Sequence, residues 1–180
     1  MNAFLVILSC LLWAASLFCL YGRQTAAPAL SYLALLALSF MTSNGFPTLP
    51  INNTILIGWL CMTLVVMFST ILQPDPVRRQ TKGMNYMIIG GIAGLAVGLL
   101  GFSFCNSLSL RYTCMVLGVL TGTALGFMSY AMTPDGKPLK AGSANFFNYL
   151  LAKGFPTAIT LMMPGLALVM VIALKNVNAL

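Results

Sequence analysis

Histidine and glutamate are absent from this chain, and Asp75 and Asp135 are its only acidic residues. General acid–base catalysis needs a titratable group matched to the working pH, so the sequence holds almost nothing to run it. Both aspartates sit in proline-containing turns beside basic residues, where solvated turn chemistry accounts for them. The five cysteines, at 10, 19, 61, 105 and 114, include no C-x-x-C pair. Without histidine or spaced cysteine pairs, no zinc site has a ligand set, and the sequence implies neither a metal nor a cofactor. It reads as a protein that is not an enzyme, with no candidate catalytic residue.

Charge of either sign is scarce as well. Only 6% of the 180 residues are charged while 59% are hydrophobic, against roughly 25% charged in a soluble domain. That is the composition of an integral membrane protein. Reading apolar runs against polar breaks predicts an all-α, polytopic transmembrane helix bundle in a single domain over residues 1–180. The predicted spans are 2–20, 28–43, 54–72, 86–104, 112–132 and 155–174, the second being short for a full crossing. The first carries no basic residue ahead of its apolar run and no small-x-small site after it, so it reads as a span and not a cleaved signal.

Nine basic residues give a net charge of +7, which in a soluble protein would suggest nucleic acid. Here the charges fall in short loops. Six spans put Arg23, Arg78, Arg79, Lys82, Lys137, Lys140 and Lys153 on one side and only Arg111 and Lys175 on the other. Basic residues stay on the cytoplasmic side, so both termini are expected outside, in a bacterial cytoplasmic membrane, with the lipid bilayer and no nucleic acid as partner. Arg78, Arg79 and Lys82 are also candidates for contact with lipid headgroups or a partner protein. The six tyrosines lie near span ends, where amphipathic rings prefer the headgroup region.

Glycine is patterned. Gly90, Gly94 and Gly98 recur every four residues in span four, and Gly118, Gly122 and Gly126 do the same in span five. Small residues at that spacing let helix backbones approach closely, so they are the candidate helix-packing positions. The plain reading packs the two spans together as a hairpin. The sharper one uses a glycine face to seal a homo-oligomer or line a narrow path, with the Thr121 and Thr123 hydroxyls beside it. In span six, Pro164-Gly165 lies deep in the apolar run, and the proline should free carbonyls near Thr160 that need another partner. Thr121, Thr123, Thr160, Pro164 and Gly165 are therefore the candidate substrate-pathway residues.

Three further features complete the reading. Cys105 and Cys114 flank the loop between spans four and five, where an oxidising exterior would permit a disulfide; buried free thiols are the plainer alternative. "SANFFNYLLAK" can form a short interfacial helix with Phe147, Leu150 and Leu151 on one face, or begin span six early. "GFPT" occurs at residues 45–48 and again at 154–157, ahead of spans three and six on opposite sides, the arrangement of a 3+3 inverted repeat. No span carries an ionisable residue at its middle, which disfavours proton or sodium coupling. Two functions remain: a transporter or channel component for a small neutral or amphipathic solute, and a noncatalytic structural or regulatory subunit, homo-oligomeric or bound to a larger membrane protein. Convergence of polar atoms inside the bundle would favour the first, and an apolar centre the second.

Overall fold

In the computed structural model, residues 2–43, 46–47, 49, 51–74, 81–101, 107–139 and 144–177 are described. The chain is helical almost throughout: α1 (Asn2–Gly22), α2 (Ala26–Ser39), α3 (Asn53–Ile71), α4 (Met84–Gly101), α5 (Leu108–Ala131), α6 (Ala144–Tyr149) and α7 (Phe155–Val177). A 3-10 turn (Pro134–Leu139) precedes α6, and a π-helical turn (Leu150–Gly154) joins α6 to α7. Five of the helical stretches are long and apolar enough to cross a membrane, the last running from Asn145 to Ala173.

The predicted second span is the exception. Its helix has 14 residues and reaches about 21 Å, short of the roughly 30 Å hydrocarbon core. Beyond it the chain turns through a minimal antiparallel pairing of β1 (Thr42–Ser43) with β2 (Phe46–Pro47), then tucks Leu49 and Ile51 into the core. Irregular backbone at membrane depth is tolerated where protein covers it.

Glycine organises the α4–α5 pair. A methyl group on Gly90 or Gly94 would overlap the carbonyl oxygens of Gly122 and Gly118, and one on Gly98 would lie 2.8 Å from that of Cys114. The reverse holds for Gly118, Gly122 and Gly126, which face Gly94, Gly90 and Tyr86. The two backbones are thus in direct contact along about three turns, the hairpin that the glycine spacing predicts. At the entrance to α4, Gly83 has φ +90°, a left-handed conformation that favours glycine, and the Tyr130 ring fills the space a side chain would need.

The last helical stretch is the centre of the bundle. Of its apolar window 72% is buried, against 17–39% in the other four. α7 packs on α2, α3, α4 and α5, and supplies Ile159, Leu161, Met162, Met163, Leu166 and Val169 to the main core cluster. Lipid chains are as apolar as these side chains, so dispersion contacts hold α7 in place more than exclusion from water does. Gly165 lies against Leu95 and Met115, where a methyl group would come within 2.5 Å and 2.8 Å of side-chain atoms.

The backbone contact between α4 and α5 gives a direct test. Gly94→Val should cost about 1–3 kcal/mol, as overpacking does, while Gly101→Ala, whose new methyl meets nothing within 4 Å, should leave stability nearly unchanged. Reversible unfolding in mixed micelles measures both, and equal effects at the two positions would refute the close-packed hairpin.

Candidate functional site

The five pathway residues occupy different environments. Thr121 is exposed, on the outward side of the α4–α5 pair, and its hydroxyl donates to its own helix at Leu117 O (2.8 Å) and Gly118 O (3.1 Å). Thr123 faces inward, donates to Val119 O (2.9 Å), and presses its methyl on Gly91 together with Leu161. Thr160 is buried, Pro164 is half-buried within the continuous α7, and Gly165 is closed over by Leu95 and Met115. Thr121 therefore does not share a space with Thr123 or Thr160.

At Pro164 the freed carbonyl has found a partner. Proline has no N–H to give the carbonyl four residues back, which is that of Thr160. The Ser31 hydroxyl, from α2, donates to Thr160 O at 3.0 Å. This is the satisfaction of a liberated carbonyl that a membrane interior demands. The Thr160 hydroxyl, 1% exposed, has no hydrogen-bond partner among the described residues.

Around the bundle lie open, mostly apolar depressions. The largest described, about 540 Å³, follows the glycine faces outward between Ile89, Val97 and Leu125, so it opens to the surroundings and not to the centre. A second runs between α3 and α5 over α7. It has a part of about 350 Å³ and a smaller one of about 190 Å³ that share Ile55 and Tyr112. There Trp59 of α3 and Tyr112 of α5 line the same space from its two walls. Neither residue was recoverable as a site from the sequence, because nothing local pairs an aromatic of span three with one of span five.

The end of the bundle opposite the N-terminus carries Arg23 in the α1–α2 turn and Lys82 ahead of α4. Lys82 forms an exposed ion pair with Asp135 (3.9 Å), and its carbonyl accepts from the Tyr149 hydroxyl. Arg78 and Arg79 lie outside the described residues, as does Cys105 and with it any Cys105–Cys114 bridge. Among the described residues no three His, Cys, Asp or Glu side chains come together.

Lys153 departs from its expected place as a loop charge. It is 0% exposed, in the π turn, and its carbonyl accepts from the Thr157 hydroxyl at 2.7 Å. In the surrounding helix Phe147 is 58% exposed and Leu150 and Leu151 are half-buried, while Tyr149 is buried and stacks on Phe127. From Ala144 onward "SANFFNYLLAK" is the early start of the last helical stretch, bent through a π turn ahead of Pro156. The two "GFPT" copies do not adopt one conformation, since Phe46-Pro47 is extended and Phe155-Pro156-Thr157 is helical.

No family model, no curated protein and no solved structure matches the chain.

Two measurements follow from this geometry. Ser31→Ala should cost about 0.5–1.5 kcal/mol in the parent and close to nothing in Pro164→Ala, where the backbone N–H is restored; equal costs would sever Ser31 from Pro164. In the folded protein Lys82, whose side chain is 70% exposed, should react readily with an amine-directed reagent. Lys153 should react at least about tenfold more slowly, since it must wait for local opening, and peptide mass spectrometry separates the two.

Proposed function

We propose that the chain is a noncatalytic helical subunit of a membrane assembly, either with copies of itself or with a larger membrane protein. One observation carries this reading: the centre of the bundle is filled by the apolar side chains of α7. A carrier of polar solute needs hydroxyls or carbonyls converging on a path, and Thr121 faces outward, away from the buried Thr123 and Thr160. Weak surface chemistry and a well-packed interior suit a protein whose contribution is its shape.

A second reading, a transporter or channel component for a small neutral or amphipathic solute, has one feature in its favour. The buried Thr160 hydroxyl without a described partner lies on the same helix as Pro164, and proline-containing helices hold substrates in some carriers. The 3+3 inverted repeat belongs with this reading and rests on the paired "GFPT" and on the loop charges that set its copies on opposite sides.

For location we propose a bacterial cytoplasmic membrane with both termini outside, from the placement of basic residues between the spans. Reporters at Asn44 and Lys140 should then lie on opposite sides, and finding both on one side overturns that topology. Extraction in polymer-bounded native discs should recover the chain in fixed ratio with itself or a second protein. A monomer that, reconstituted alone, speeds the entry of a neutral solute into vesicles would refute the subunit reading and support the carrier.

A further inference from the structure

The depression between α3 and α5 differs in kind from the glycine-lined groove. α3 and α5 scarcely touch, and each packs instead on α7, so a fissure opens sideways between them with Ile159 and Met162 as its inner floor. The part farther along α5 is walled by Gly58, Trp59, Met62 and Val116, and the part nearer the start of α5 includes Ser109. Tyr112 and Ile55 line both parts.

What fills it follows from size, polarity and depth. Water needs two to four polar partners, and these walls offer too few. An empty fissure would forfeit dispersion contacts along its whole lining. A helix about 10–12 Å across occupies roughly 400–600 Å³ per turn, so parts of about 350 and 190 Å³ admit a slender chain and not a helix. The methionines Met62 and Met162 are side chains that mould to irregular apolar guests. Trp59 lies about 9 Å along α3 from Asn53, and Tyr112 about 6 Å along α5 from Leu108, near the boundary where lipid esters lie. A phenol has an O–H to donate, and Tyr112 lines both parts of the fissure.

We propose that this fissure is a lipid-binding site, taking one acyl chain of an ester-linked glycerolipid against Trp59 and Met162, with the Tyr112 hydroxyl donating to the ester carbonyl. The site stands independently of whether the chain acts as a subunit or a carrier. In either case it ties the bundle to a particular lipid orientation: chain inward, headgroup toward the end that carries the N-terminus.

The chain contains two tryptophans, so Trp13→Phe leaves Trp59 as the sole reporter. In vesicles of ester-linked phosphatidylcholine brominated along its chains, Trp59 emission should fall by about half or more relative to unbrominated lipid, because a pocketed guest is enclosed by its walls. Gly58→Leu places a side chain where a methyl meets nothing within 4 Å, and should fill the fissure and restore most of that emission. Met62→Phe serves the same end should Gly58→Leu not fold. Ether-linked brominated lipid, lacking the carbonyl, should quench less than ester lipid in the Trp13→Phe parent, and equally after Tyr112→Phe. Absence of quenching, or quenching that neither filling variant reduces, overturns the acyl-chain site. Equal ester and ether quenching in the parent overturns the role of Tyr112. Quenching that disappears as the protein-to-lipid ratio rises would assign the fissure to a second copy of the chain and also overturn the proposal.

Discussion

Helix backbones surrounded by lipid attract one another only as far as they can approach, and in α4 and α5 the approach continues until glycine meets carbonyl. Nothing larger than hydrogen fits at Gly90, Gly94, Gly118 or Gly122. The pair acts as one broad wall, and α7 lies along its inner side through Leu161 against Gly91 and Gly165 against Leu95 and Met115. From that seat α7 presents its other faces to α2 and α3, which it holds apart from the wall. The fissure between α3 and α5 is a product of this arrangement, since α3 has α7 to pack on but little of α5.

A second constraint acts beside the first. Polar groups at membrane depth must find partners within the protein, and most hydroxyls here do so within their own helix, as Thr63, Thr70 and Thr123 do. Those that reach across mark where helices are tied together: Ser9 to Ala34 O, Ser31 to Thr160 O, and Tyr21 to Asn85. Each such bond contributes little, about 0.6 kcal/mol on average in a membrane protein. Their value is positional, because a hydroxyl aimed at one carbonyl sets how two smooth helices register against each other.

Much of this fold was legible in the sequence because its causes are local. Four-residue glycine spacing names a contact face, and proline at 164 names the carbonyl at 160 as the one in need. The short second helix was equally readable from the length of "APALSYLALLALSFMT". What escaped depends on tertiary placement. Lys153 stands among leucines, alanine and glycine in a stretch that could equally end a loop or begin a helix, and only the π turn carries it inside. Within the repeated "GFPT", Phe46-Pro47 is extended and Phe155-Pro156 is helical, so its identity of letters concealed a difference of context. Of the site, Pro164 and Thr160 could be named in advance, whereas Trp59 and Tyr112 become a pair only when α3 and α5 are laid over α7.

The most enclosed helix is also the last of those described to leave the ribosome. Synthesis proceeds from the N-terminus, so α1 to α5 enter the bilayer while the seat of α7 stands open. The glycine hairpin can close at that stage, but Met115, Val119, Leu35 and Leu38 must face lipid until the final helix arrives. Assembly thus has a built-in order, with a half-formed shell that is at home in the bilayer and a keystone inserted from its open side.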